Sequence, residues 1–231
     1  MPYAAAVVLA GGSGSRLGAD GNKVYLPLAG RPLLSWALDA FAQAPSVGRL
    51  VLVARAADRR QAHRAAAAVT GRAVQVVDGG ATRHGSEWAA LCHLAPAIRS
   101  GEVDVVAIHD GARPVVARQL IEDTVAAARA HGAAVPGVPL ADAGVLDPQR
   151  GVRREPADRR LVRVQTPQAF RADLLLDAYE QADRDGFAGT DTAACVERYA
   201  GIPVHCTPGD PRNVKVTYPP DLALAERLLP G

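Results

Sequence analysis

Along the chain, short apolar runs alternate with longer stretches of helical spacing. The runs cover residues 5–9, 50–54, 74–77, 103–109, 133–139, 162–166 and 214–217, and each predicts a strand. Several, such as V-L-V-A at 51–54 and V-D-V-V-A-I at 103–108, are apolar at nearly every position. That is the pattern of strands covered on both faces in a parallel sheet. Helical spacing predicts helices over 31–43, 58–69, 86–94, 118–131, 172–182, 190–200 and 220–229. Pro32 falls at the first helical position of the 31–43 stretch, where a missing N–H costs nothing. Such alternation predicts an α/β fold: a Rossmann-like, mostly parallel sheet with helices on both faces.

The alternation breaks over residues 140–160, L-A-D-A-G-V-L-D-P-Q-R-G-V-R-R-E-P-A-D-R-R. These are polar, rich in turn residues and without a core stripe. An irregular excursion of this length inside a compact domain is usually functional. It reads as a projecting β-arm spanning 138–161, with a hairpin around Asp147–Gly151, on a single domain of residues 1–231.

Composition narrows the classes. With 231 residues, 48% hydrophobic and 22% charged, the chain can bury a sizeable core. A net charge of +2 without basic clusters argues against nucleic-acid binding. Cys92, Cys195 and Cys206 are odd in number and lack metal spacing; they read as small buried hydrophobes in a reducing compartment. No apolar run approaches the ~20 residues of a membrane span, and a strand pattern starts by residue 4. A cytoplasmic protein is the expectation.

The chemistry concentrates after the first strand, in L-A-G-G-S-G-S-R-L-G at 9–18 and N-K-V-Y at 22–25. A Walker A loop fails, because Lys does not follow Gly18 and Val24 follows Lys23. A dinucleotide fingerprint would use Gly12 and Gly14, but Leu17 holds its third glycine position. Arg55 after the second strand could mimic a 2′-phosphate contact, so a nicotinamide oxidoreductase stays open. The remaining reading is a long loop wrapped over a nucleoside triphosphate. Gly11, Gly12 and Gly14 let backbone N–H groups approach phosphate oxygens. Arg16 and Lys23 supply fixed positive charge where charge grows during phosphoryl transfer. Asp110 ends the strand V-D-V-V-A-I-H-D, where ligands bind in open α/β sheets.

These segments resemble a known family. The glycine loop is followed by V-D-G-G-A-T-R-H-G-S (77–86), H-D-G-A-R-P (109–114), V-Q-T-P-Q-A-F (164–170), T-D-T-A (190–193) and N-V-K-V-T (213–217). This order is similar to the cytidylyltransferases acting on 2-C-methyl-D-erythritol 4-phosphate, of the nucleotide-diphospho-sugar transferase type. The enzymes acting on D-ribitol 5-phosphate are close kin.

The resemblance implies transfer of a cytidylyl group from CTP to a polyol phosphate, with Mg²⁺ carried mainly on the CTP phosphates and no protein ligand named for it. It implies that Arg16 and Lys23 stabilise the transition state and that Lys215 grips the acceptor phosphate. Arg159, or its neighbour Arg160, would reach across a homodimer with exchanged arms to the partner's acceptor. A base pocket would come from Ala10, Gly11, Gly79, Gly80, Ala81 and Ser86. Asp110 and Gly111 would face ribose, acceptor or the metal shell, and Arg113, Thr166 and Thr190 the polyol and its phosphate. Arg83 reads as structural, and His109 as packed below the site.

Four positions and one stretch depart from the family pattern: Ala143 replaces the arm's usual threonine, Thr192 an acid, Asn22 a proline and Gly111 a Cβ-bearing residue, while L-A-G-G opens the first loop. A degenerate nucleotide-binding or regulatory protein that lost turnover is the remaining alternative.

Overall fold

The computed structural model describes residues 2–12, 21–140, 144–147, 151–154, 161–189 and 191–229. In chain order the elements begin with β1 (Tyr3–Ala10), β2 (Pro27–Leu28), β3 (Arg31–Pro32), α1 (Leu33–Ala42), β4 (Val47–Ala54), α2 (Arg59–Ala67), β5 (Val74–Asp78) and α3 (Arg83–Arg99). Then come β6 (Val103–Asp110), α4 (Arg118–His131), β7 (Ala133–Pro139), β8 (Gly144–Asp147), β9 (Gly151–Arg154), β10 (Val162–Val164) and β11 (Gln168–Arg171). The chain closes with α5 (Ala172–Asp185), α6 (Thr192–Ala200), β12 (His205–Pro208) and α7 (Pro219–Leu228).

Among the described residues, eight strands form the main sheet, in the order β10–β7–β11–β6–β1–β4–β5 with β12 added on β7. β1 runs parallel to β4 and to β6, and β4 to β5. The order therefore reverses at β1, which puts a crevice beyond the carboxyl ends of β1 and β6. β10 and β11 are antiparallel to β7, and β12 is parallel to it. Gly137 of β7 faces Val164 on one side and Pro208 on the other.

β1 is covered on both faces, and its residues alternate between two apolar layers. Ala4, Ala6 and Val8 join α1, α2 and α4, among them Leu38, Phe41, Ala62 and Ile121. Ala5 and Val7 join α3, α5 and α6, among them Leu91, Leu175 and Val196. Small residues on the central strand let the helices of both layers approach. A third cluster of Leu28, Leu33, Val115, Val216 and Ala225 fixes α7 against the start of α1.

Several sequence expectations shift. Pro32 precedes α1 rather than opening it, because Arg31–Pro32 pairs with Pro27–Leu28 in a small hairpin. Its two central residues, Ala29 and Gly30, have φ of 47° and 77°, the pattern of a type I′ turn. Residues 214–217 form no strand. Val216 N–H donates to Ala112 O at 2.9 Å, and this segment is pinned by single contacts rather than a ladder. The extra strands of the main sheet are β11 and β12, whose mixed composition hid them. Only Cys195 is buried; Cys92 and Cys206 are exposed. In the arm, β8 and β9 pair antiparallel with Asp147 opposite Gly151, and the rest of 141–160 lies outside the described residues.

Phe41 is fully buried, and its ring meets that of His109 edge-on at 5.0 Å. Phe41→Ala is expected to cost about 3–5 kcal/mol of stability, read as a lowered urea midpoint with an unchanged slope.

Candidate active site

Beyond the carboxyl ends of β1, β5 and β6 lies an open cleft of about 280 Å³. Its walls include Gly11, Gly12, Lys23, Gly80, Ala81, Arg83, Ser86, Asp110, Gly111 and Lys215. Leu9, Val24, Thr82 and Ala112 complete it. Segments some 200 positions apart in sequence thus converge on one space.

The glycines earn their places by close approach. A Cβ on Gly79 would meet Ser86 Oγ at 2.9 Å, and one on Gly80 would meet the Gly85 backbone carbon at 2.7 Å. A Cβ on Gly111 would meet Leu9 O at 2.8 Å, beside the Gly111 N–H to Leu9 O bond of 2.9 Å. Nothing lies within 4 Å of the Cβ direction at Gly12. Thr82 caps α3, its Oγ1 accepting from Gly85 N–H at 3.0 Å. Ser86 Oγ donates to Thr82 O at 2.9 Å. This turn presents Gly80 and Ala81 to the cleft at the start of a long helix.

Lys23 lies in a 3-10 turn (Lys23–Tyr25) whose N-cap is Asn22. Asn22 is buried; its Nδ2 donates to Ala10 O at 2.5 Å and to Asp58 Oδ2 at 2.9 Å. Arg55 grips the same Asp58 at 2.7 and 3.0 Å. Burial works against the Asp58 charge, but its bonds from Arg55 and Asn22 hold the carboxyl below its ordinary range. Asn22 thus ties the segment carrying Lys23 to the end of β1. Arg55 is bonded into that brace and is not among the residues lining the cleft.

Asp110 organises the centre of the cleft. Its Oδ1 accepts from Arg83 Nη1, and its Oδ2 accepts from Lys215 Nζ at 2.7 Å. Arg113 Nε lies 3.8 Å from the same Oδ2. Burial would raise the Asp110 pKa, but Arg83 and Lys215 outweigh it and hold the carboxyl well below the usual carboxylate range. Arg83 carries a second ion pair, Nε lying 2.9 Å from Glu87 Oε1. It is a wall residue, which corrects the structural role expected of it. The helix expected over 86–94 starts earlier, at Arg83, which sets Arg83 and Glu87 one turn apart on α3.

Arg113 and Thr166 lie beneath the cleft floor and are absent from its walls. Arg113 Nη1 donates to Asn213 O at 2.8 Å, while Asn213 Nδ2 donates to Thr166 O at 2.8 Å. Their contacts here hold the N-V-K segment rather than face open space. Asp110 N–H donates to Thr166 Oγ1 at 3.1 Å. The Thr166 hydroxyl can then donate to His109 Nδ1, 3.0 Å away, and His109 Nε2–H to Arg113 O at 3.1 Å. His109 is fully buried and serves as a neutral link. Ala10 and Gly79 lie just behind the wall, supporting it through Asn22 and Ser86. Gly14, Arg16, Arg159 and Thr190 lie outside the described residues, as do Ala143 and Arg160.

A glycine-lined crevice at a sheet switch point, ringed by Lys23, Arg83 and Lys215 around one carboxylate, defines a nucleotidyltransferase of the α/β class. The family model described as 2-C-methyl-D-erythritol 4-phosphate cytidylyltransferase matches residues 4–230. A curated enzyme of that name from Cereibacter sphaeroides is 43% identical over 226 residues, covering 97% of this chain and 96% of its own. Another from Symbiobacterium thermophilum is 40% identical over 226 residues, covering 96% and 91%. The crystal structure of a 4-diphosphocytidyl-2C-methyl-D-erythritol synthase from Anaerococcus prevotii superposes with a TM-score of 0.83 at 26% identity, covering 98% and 95%. The chain belongs to the 2-C-methyl-D-erythritol 4-phosphate cytidylyltransferase family.

Burial pushes the His109 pKa down to about 4, against an ordinary value near 6.5. Between these values the unfolded chain binds more protons than the folded one, so stability rises with pH across that window. The contribution is full above about pH 6.5 and is lost as pH falls toward 4, by up to roughly 3 kcal/mol. Asp110, held low, adds its own loss only below the ordinary carboxylate range. His109→Gln, which keeps a donor for Arg113 O, is expected to flatten the pH 4–6.5 slope of the urea midpoint. An unchanged slope would contradict the assignment.

Proposed function

We propose that this protein transfers the cytidylyl group of CTP to 2-C-methyl-D-erythritol 4-phosphate, in the non-mevalonate isoprenoid route. An oxygen of the acceptor phosphate forms a bond to the α-phosphorus of CTP. The bond from that phosphorus to the bridging oxygen breaks in line, and pyrophosphate leaves. No base is required, since a phosphate monoester is largely deprotonated near neutral pH. Catalysis is positioning plus electrostatics.

The observation that carries this reading is the convergence of Lys23 and Lys215 on one cleft, with Asp110 paired to Lys215. Lys23, with Arg16, would neutralise charge growing on the α-phosphoryl group and the leaving pyrophosphate. Gly11 and Gly12 leave room for phosphate oxygens, and Gly80, Ala81 and Ser86 form a narrow wall suited to a pyrimidine. Lys215, half-exposed and paired to Asp110, is placed to exchange that partner for the acceptor phosphate. Arg113, Thr166 and His109 hold the floor that aims Asp110 and the Lys215 segment.

Among the described residues, no group of three or more His, Cys, Asp and Glu could hold a metal. Asp110 is the one carboxylate on the described walls of the cleft. That donor set fits Mg²⁺ that arrives on the triphosphate and keeps phosphate and water ligands, where it would offset phosphate charge. The proposal includes a cytoplasmic homodimer in which the 138–161 arm carries Arg159 to the partner's acceptor site. The described part of that arm is the β8–β9 hairpin. Among the described residues, no helix is long and apolar enough to cross a membrane.

Pyrophosphate release with Mg²⁺ and CTP tests the reading, comparing 2-C-methyl-D-erythritol 4-phosphate with D-ribitol 5-phosphate. Release with the erythritol phosphate is expected; release with ribitol phosphate alone would overturn the acceptor assignment. Lys23→Ala and Arg16→Ala are each expected to lower kcat by about 10²–10³-fold with the fold intact, the scale of losing one oxyanion-stabilising group. Lys215→Ala is expected to raise the acceptor KM more than that of CTP.

A further inference from the structure

The Glu87 carboxylate has no place yet in the reaction. Glu87 is 1% exposed, on the inward face of α3 beside the apolar layer of α5 and α6. A carboxylate there is costly unless its oxygens are fully partnered. Oε1 lies 2.9 Å from Arg83 Nε and accepts from Thr192 Oγ1 at 2.8 Å. Oε2 accepts from the Tyr179 hydroxyl. The Tyr179 ring stacks on His84 at 4.6 Å, which fixes the donor. Two hydroxyl donors, from α5 and α6, and one guanidinium ion pair within α3 therefore converge on one acidic group.

The far side of the same guanidinium faces the cleft, where Arg83 Nη1 donates to Asp110. Arg83 is held between two carboxylates, one inside the fold and one at the site. An apolar side chain of similar size would fill the space at least as well as a buried ion pair. What the carboxylate adds is direction, because a guanidinium ion-paired to one carboxylate on its inner side and hydrogen-bonded to another at the cleft has little freedom to swing.

We infer that Glu87 is a positioning residue. It aims Arg83 at Asp110 and ties that pair to Tyr179 of α5 and Thr192 of α6, so that the nucleotide-side wall and the start of α6 hold one arrangement. The T-D-T-A segment, whose Thr190 is assigned to the acceptor, leads directly into α6. Glu87 thus ties the Arg83 wall of the cleft to α5 and to the start of α6 through contacts inside the fold. The inference rests on the cytidylyltransferase reading.

The test is a double-mutant cycle between Glu87→Gln and Arg83→Gln, read as kcat/KM for CTP at saturating acceptor. Glu87→Gln alone is expected to lower it about tenfold or more, the scale of losing an orienting partner behind a site group. In the Arg83→Gln background it is expected to lower it no further. Wild-type kcat/KM in folded Glu87→Gln, or an equal further loss without Arg83, would overturn the inference. Should Glu87→Gln fail to fold, Arg83→Lys decides. Lysine keeps the charge but cannot bridge two carboxylates, so it is expected to lose as much as Arg83→Gln, and retained activity would overturn the inference. Wild-type turnover is measured first, and its absence would contradict the transferase reading instead. The same cycle is then read on the CTP Kd by calorimetry, with the same expected order and the same overturning results.

Discussion

One carboxylate sets the geometry of this site. Asp110 stands at the last position of β6, buried to 8% exposure, and meets Arg83 from α3 and Lys215 from the segment before α7. Two cations close on one buried acid, and removing that acid would leave them facing each other without its charge. Elements far apart in the chain are thereby tied to one point. The fold must deliver Asp110 to that point with little freedom. It does so through the β1–β6 pairing, the Gly111 N–H on Leu9 O, and Thr166 beneath the Asp110 amide.

The layers behind the site divide the work. On one side Asn22, Asp58 and Arg55 fix the segment of Lys23 against the end of β1. Below, His109, Thr166, Arg113 and Asn213 form a closed set of hydrogen bonds that supports the Lys215 segment. Such preorganisation suits phosphoryl transfer, where side chains do little covalent work and misplacement by an ångström is expensive. The segment of Lys23 and the Arg83 guanidinium are held by contacts of the fold itself.

Much of this was legible in the sequence because the relevant constraints are local. Buried parallel strands write apolar runs, and 133–139 and 118–131 match their elements end to end. Glycine-rich turns after strands mark backbone approach, and Asp110 at a strand end marks the crevice. What stayed hidden depends on tertiary pairing. β11 and β12 carry no period of their own and exist because β6 and β7 offer edges to pair with. Residues 214–217 look like a strand by composition, yet the N–H groups of Val214, Val216 and Thr217 are taken up by Arg212 O, Ala112 O and the Asp221 carboxylate. Arg113 and Thr166 looked like wall residues from their motifs, but each is buried behind a neighbour that does reach the wall. Glu87 was invisible as chemistry because both hydroxyls that bond it, Tyr179 and Thr192, come from other helices.

The most direct measurement is the turnover and CTP affinity of Asp110→Asn, with circular dichroism to establish that the fold survives. The carboxamide keeps the shape and removes the charge that holds Arg83 and Lys215 together. The account expects kcat/KM to fall by about 10²-fold or more, the scale of losing one preorganised charged group. A folded Asp110→Asn protein with kcat/KM within twofold of wild type would contradict it.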